Sequence, residues 1–555
     1  MTTAQPDASI SPTGVSRPSP HLHSAWIDAL FGYGFFYLLT APLVVFGALR
    51  IGLTEWPGWF ATLAALLISV PHYGATYLRV YEKRQERRRY ALFAVHLAVI
   101  LFGAFVASLY SIRLGSLLLT IYIYWSPWHF AGQNFGVAMT SLRRRQVPID
   151  AQSRRLLYAA FGLGYLLSFL ALSRLGSSYQ EVVGTGDGSV FQFYRLGVPD
   201  AVALPVITLL APAYLGTAAA ALLRLSRKAA WRDLLPTVSL LATHSLWYAL
   251  PAVLSEPIPL VYAGVWVSAL HAVQYLWITS HYARKSDQTP PTRFLTKSLL
   301  IGSAVAVTPP LLFAPGLLGP LAPHSAQAAI VFFSVMNIHH FLLDGAVWKL
   351  RDGRVARALL DDRAGTEPED ESAQARGRVR PFLYVLGAVI LVLPVWVSVE
   401  SMRAAASTDH DTVEGAAQRL AFLGRDNPDV SFVLGQHRAI ANDRPGAIAA
   451  YEKALALRPG HAGSSYRLAS LLLSDPTRRE EALSLAQTAA EATRYGDPAA
   501  LIVLGRAHLA TGHRNEARTA LSAAVKVAQQ QGDAELVGIA QRLLRATSRR
   551  PAAAR

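Results

Sequence analysis

The chain of 555 residues contains no cysteine. That absence excludes disulfide frameworks, thiolate zinc sites, iron–sulfur clusters and cysteine nucleophiles, so any metal must be held by imidazole, carboxylate, amide or carbonyl groups. Charge is also scarce: Asp, Glu, Lys and Arg supply 16% of residues against 52% hydrophobic ones, where a soluble domain carries about 25% charged residues. With a mean hydropathy of +0.28, the composition excludes a soluble enzyme. No phosphate-cradling or dinucleotide-binding glycine fingerprint is present, so nucleotide use has no support.

What the chain does have is long apolar runs. Residues 1–25 are polar and Ser/Pro-rich and read as a disordered cytoplasmic tail. From Trp26 to about Ser398, eleven apolar stretches are long enough to cross about 30 Å of hydrocarbon. They cover roughly 26–48, 58–78, 90–112, 115–140, 156–173, 201–223, 234–254, 258–282, 298–319, 326–348 and 381–398. Residues 26–348 thus form a ten-span membrane domain, 349–380 a charged cytoplasmic loop, and 381–398 an eleventh span.

The formal charge of +16 is membrane punctuation rather than a nucleic-acid footprint. Alternate loops carry 6, 5, 4, 4 and 8 Lys and Arg residues, while the intervening ones carry 1, 1, 2, 0 and 0. Basic residues in short loops stay on the cytoplasmic side. The expected topology is a multi-pass protein of the inner (plasma) membrane, with the N-terminus cytoplasmic and residues 399–555 extracytoplasmic.

Beyond Ser398 the sequence turns polar and Ala-rich, with a repeat of about 34 residues. Leu434, Gly435, Ala447, Tyr451, Ala454 and Pro459 mark one copy, and Leu504, Gly505, Ala517, Leu521 and Ala524 repeat the first five offsets. The spacing resembles the tetratricopeptide (TPR) repeat. The expected fold is therefore all-α: a polytopic membrane helix bundle followed by a short TPR α-solenoid that binds a protein partner.

Ionisable groups inside spans are costly and so begin as functional candidates. Seven histidines qualify: His72, His96, His129, His244, His271, His339 and His340, with His281 at the interface end of the eighth span. Counted from the first basic residue of the cytoplasmic loop, His72 and His96 lie about 10 Å deep, His340 about 14 Å, and His129, His244 and His271 about 18 to 21 Å. None falls in the outer third. Asn337, His340 and Asp344 share one helical face, as do Trp125, His129 and Gln133, and as do His271, Gln274 and His281. His271 and His281 are separated by about 15 Å along their axis and could not easily share an ion. Asp344 and Asp28 are the carboxylates placed inside spans.

Neutral imidazole suits iron, zinc or copper and leans on a neighbouring carboxylate or amide. His72, His129, His271, His281, His339 and His340 are therefore the candidate metal ligands, with Asp344, Gln133 and Gln274 as catalytic or orienting groups. His96 and His244 read as interhelical hydrogen-bond donors. Trp125, Trp128, Tyr275, Trp277 and Trp348 read as interface belt and core, and His21, His23 and His324 as solvated.

SVPHYGATYL around His72 and YWSPWHFAGQNFG around His129 resemble the PHG and WHFG motifs of the Brp/Blh-type β-carotene dioxygenases, and LHAVQYLWITSHYARK is similar to their later histidine-bearing helix. The resemblance covers about 60–285. It implies a multi-span membrane protein with iron, an oxygen-dependent reaction on an isoprenoid, and His72, His129 and His281 among the ligands. The acidic residues that follow the first two motifs in that family are absent here, and the TPR tail is outside its pattern. The expected function is a membrane oxidoreductase or oxygenase holding iron or another transition metal in the cytoplasmic half of the bundle, with a lipid or isoprenoid substrate entering from the bilayer. The alternatives are a many-span lipid-linked glycosyltransferase, which would need carboxylates such as Glu55, Glu181, Asp187 and Asp200 on the outer face, and a non-enzymatic scaffold or a transporter.

Overall fold

A computed structural model describes residues 19–46, 65–174, 191–249, 260–348, 353–360 and 379–548. Glu55, Glu181 and Asp187 lie outside these residues, as do the first third of the second apolar stretch and most of the loop 349–380. The described residues are all-helical, without strands. They divide into two compact units, one running to Pro394 and the other containing Val395 onward together with Ala314–Pro320.

In the first unit we number the helices α1 (Phe35–Phe46), α2 (Val70–Tyr81), α3 (Leu97–Ser108), α4 (Ile112–Arg144), α5 (Ala151–Ser173), α6 (Asp200–Ser226), α7 (Trp231–His244), α8 (Leu260–Ser286), α9 (Pro291–Leu312), α10 (Ala328–Val347), α11 (Gly353–Leu360) and α12 (Val379–Ala405). Among the described residues, five helices are long and apolar enough to cross a membrane: α5, α6, α9, α10 and residues Pro381–Ala405 of α12. Several other apolar stretches depart from uniform spans for visible reasons. The first is broken at Gly34, whose φ of 78° is open to glycine and strained for other residues. The 33-residue α4 dilutes its apolar residues with Trp125, Ser126, His129, Gln133 and Asn134.

Packing of α2 against α9 depends on missing side chains. A Cβ on Gly74 would lie 1.8 Å from the Ser298 carbonyl oxygen, and one on Gly302 would lie 2.0 Å from that of Val70. The contact is reciprocal, with residues four apart on each helix. It lets the two backbones touch, as small residues do between membrane helices. Gly387 of α12 repeats the device against the Leu300 carbonyl, at 1.8 Å, so α9 is gripped on two sides. α2 is itself preceded by a π-helical turn, Ala65–Ser69.

The basic side of the unit is latched by buried polar groups. Asp28, fully buried, accepts from the backbone N–H of Leu22 (2.7 Å) and His23 (3.1 Å) and from Trp277 Nε1 (2.8 Å). Arg144 donates to the carbonyls of Ser19, His21 and Leu359. His23, expected to be solvated, is half-buried and meets the Trp277 carbonyl at 3.1 Å. Glu86 is buried between Arg79, at 2.9 Å, and Arg354 of α11. Burial alone would raise its carboxyl, but the two guanidinium groups outweigh it and hold it below the usual glutamate range.

The second unit strings together α13 (His410–Phe422), α14 (Pro428–Ile440), α15 (Arg444–Leu457), α16 (Ala462–Leu472), α17 (Arg479–Ala492), α18 (Pro498–Ala510), α19 (Arg514–Gln531) and α20 (Ala534–Ser548), each packed on the next. Asn427, Asp443 and Asp497 cap α14, α15 and α18, each of which carries proline in its first turn. Tyr451 fills the space over Gly435, and Leu521 fills the space over Gly505. The same relation thus recurs along the array.

Two outcomes are expected. Gly302→Ala forces α2 and α9 apart and lowers stability by about 1–3 kcal/mol, whereas Gly216→Ala, with open space around its Cβ, is neutral or stabilising; thermal unfolding in detergent compares them. Glu86 has a depressed folded value, so its ion pairs stabilise above the unfolded glutamate value of about 4.3 and are lost as pH falls through the folded one. Glu86→Gln should therefore remove stability at pH 7 and flatten the loss on acidification below about pH 4.3, read from unfolding temperatures across pH.

Candidate metal centre

Four helices bring histidines to one buried place. His72 comes from α2, His129 from α4, His271 from α8 and His340 from α10. His72, His271 and His340 are each at most 3% exposed. Ring centroids lie 4.2 Å apart for His72 and His340, 4.8 Å for His129 and His271, 5.0 Å for His72 and His271, and 5.1 Å for His129 and His340. Asp344, one turn beyond His340, places Oδ2 3.4 Å from His340 Nε2 and 3.7 Å from His129 Nε2.

The donor atoms are arranged as ligands would be. Two overlapping sets, His72 with His271 and His340, and His129 with His340 and Asp344, each keep their ligand atoms within 4.8 Å of one another. His72 Nε2 and His340 Nε2 are 2.9 Å apart. Two nitrogens at that separation either share a proton or share a cation; donors at about 2.0–2.1 Å from one ion, set at about 90°, lie about 2.9 Å apart. His129 Nε2 and both ring nitrogens of His271 are buried and have no hydrogen-bond partner. Orphaned buried polar atoms demand an explanation, and a shared metal ion supplies one. The residues present therefore fit a metal held by nitrogen and carboxylate.

The surroundings orient the ligands. Thr76 Oγ1 lies 2.9 Å from His340 Nδ1, 3.1 Å from the Tyr275 hydroxyl oxygen and 3.3 Å from the His72 carbonyl oxygen. A hydroxyl has one proton to give. Directed at Tyr275 or at the carbonyl, it leaves the threonine oxygen to accept from His340 Nδ1–H, and the Nε2 lone pair of His340 then faces the cluster. Trp348 Nε1 closes this network on the Tyr275 hydroxyl at 3.4 Å. Sequence spacing does not single out Thr76 or Tyr275, although each follows a cluster histidine by four residues and shares its face.

Other candidates fall elsewhere. His281 is buried, but its ring faces backbone carbonyls, Leu22 at 2.8 Å through Nδ1 and Ala358 at 3.3 Å through Nε2; it ties the N-terminal segment and α11 to α8 rather than joining the cluster. His339 points to the Phe93 carbonyl at 2.9 Å. Gln274 Nε2 donates to the Gly32 carbonyl and its Oε1 accepts from Gln133, while Gln133 also donates to the His271 carbonyl at 3.2 Å. The pair braces α8 against α4 and sets the height of His271. His244 holds the Phe161 carbonyl at 3.0 Å, the interhelical bond expected of it; His96 is exposed and bonds within its own helix.

A cavity of about 370 Å³ opens beside the cluster, with His129, Asp344 and Gln133 in its wall. Trp125, Trp128, Tyr275, Phe341 and Trp348 line it, so aromatic residues expected in belt and core include the walls of a chamber. No family model, no curated protein and no solved structure matches this chain.

Thr76→Val keeps the shape and removes the hydroxyl. Its expected effect is a fall of about 10–100-fold in metal affinity, read by chelator competition, with Thr76→Ser restoring it and the unfolding temperature little changed.

Proposed function

We propose that this protein is an integral membrane oxidoreductase, of oxygenase type, that acts on a lipid or isoprenoid at a histidine-held metal, most simply iron. The observation that carries this reading is the convergence of His72, His129, His271, His340 and Asp344, with orphaned ring nitrogens, at the side of an aromatic-walled cavity. Bound there, iron would supply oxygen activation. The chain's own residues do the rest. His72, His129, His271 and His340 hold the ion, Asp344 joins or orients them, and Thr76 fixes His340. The aromatic walls exclude water and receive an apolar substrate.

In this reading the first unit is an eleven-span bundle of the inner membrane, its cytoplasmic side marked by the basic loops and its metal in the cytoplasmic half. Residues 399–555 hold a TPR domain on the extracytoplasmic side, where it recruits a protein partner. The alternating basic loops and the recurring Gly435–Tyr451 and Gly505–Leu521 pairs support these assignments.

The test is elemental analysis of detergent-purified protein beside His129→Ala/His340→Ala. Near-stoichiometric iron that the double variant loses, with the helical signal unchanged, is the expected result. Protein purified without chelators that carries no transition metal, and takes up none on titration with ferrous ion, ends the proposal.

A further inference from the structure

The cavity beside the cluster has an open side made of glycine. Eight of its lining residues come from one face of α4, from Trp125 to Thr140, a rise of about 22 Å. Spread over that length, the cavity of about 370 Å³ is elongated along the helix, the shape of an extended chain rather than of a compact body.

Three glycines stand in this wall: Gly132 and Gly136 from α4 and Gly345 from α10. A Cβ on any of them would meet nothing within 4 Å, unlike Gly74 or Gly302, where helix packing forbids one. Packing therefore does not require glycine here; open space is what they leave. Gly132 and Gly345 are also exposed to the outside, as is Trp128 at 41%. The slot thus reaches the helix surface between α4 and α10. At its inner side stands His129, its side chain 9% exposed and its Nε2 without a hydrogen-bond partner. Among the described residues, Asp344 is the one formally charged lining residue, and no described Lys or Arg lines the cavity to receive a phosphate or carboxylate head.

We infer that Gly132 and Gly345 frame a lateral opening through which a neutral single-chain lipid, such as a long-chain alcohol or alkene, slides from the cytoplasmic leaflet to lie along α4 beside His129. This rests on the proposed membrane placement and lipid substrate, and adds the chemical class and the residues that select it. A Cβ at either glycine projects into open space, with nothing within 4 Å.

The test is photolabelling of the full chain in phosphatidylcholine vesicles. One arm uses a long-chain alcohol with a mid-chain diazirine, and the other a phosphatidylcholine with the same group. Adducts are mapped by peptide mass spectrometry. The alcohol should label Trp125–Thr140 and Phe341–Trp348, and excess unlabelled linear alcohol, but not cholesterol, should compete. Gly132→Phe and Gly345→Phe should each cut this labelling about tenfold by steric exclusion. Labelling of the exposed Val385 and Val389 should persist in both variants, and Gly216→Phe should behave as wild type. Alcohol adducts confined to exposed helix faces, adducts in the slot from the phosphatidylcholine alone, or unchanged slot labelling in both glycine variants would overturn the inference. Metal is measured in the same samples: slot labelling in protein that binds no metal supports the slot while removing the metal centre, and metal retained without slot labelling removes the slot alone.

Discussion

The first unit turns on a debt of hydrogen bonds. Several imidazoles are buried together, and a buried polar atom without a partner costs about 1–3 kcal/mol. Most polar side chains near them are answered by a backbone carbonyl or by one another. The ring nitrogens of His271 and Nε2 of His129 are not. Leaving three such atoms unanswered is an arrangement that a purely structural core would exchange for apolar side chains. A cation bound through His129 Nε2, or through one ring nitrogen of His271, answers such an atom, which is why the cluster is read as a metal centre and why Asp344 stands within reach of two of its rings.

Holding that cluster together is a matter of backbone proximity. α2 carries His72 and can bring it close to His340 only because Gly74 and Gly302 let α2 lie on α9 with carbonyl oxygens against Cα atoms. Such contacts are short, and they leave helix rotation little freedom. On the far side, Gln133 and Gln274 join α4 to α8 and to the Gly32 carbonyl. Small residues and amides thus add close, directional contacts to apolar clusters that join the same helices, among them Leu78 with Tyr275 and Leu276, and Leu118 with Phe332 and Val335.

Much of this is legible in the sequence, for a definable reason. Helical periodicity alone puts Asp344 over His340, and Gln133 over His129. Periodicity cannot say which helix meets which. His281 shares a face with His271 and Gln274, and only the folded chain shows that Leu22 and Ala358 stand opposite it. The role of Asp28 is hidden in the same way, because its partners include Trp277, far along the chain. Thr76 and Tyr275 are within reach, since each lies one turn from a cluster histidine, but a threonine or tyrosine in an apolar helix is so often mere packing that spacing alone does not raise it.

The contrast between His281 and His271 carries a more general point about buried histidine. They sit on one helix, ten residues apart, and both are almost wholly buried. What differs is what stands opposite. A carbonyl oxygen is acceptor only, so it calls for a ring proton and turns the histidine into a structural donor. Another imidazole, or a carboxylate beside one, offers lone pairs that can be shared only through a proton or a cation. His281, His339 and His244 meet carbonyls and serve as ties between segments; His72, His129 and His340 meet one another and Asp344. Burial and residue type are therefore poor guides to ligation in a membrane bundle, and the chemical nature of the nearest polar atom separates the two roles.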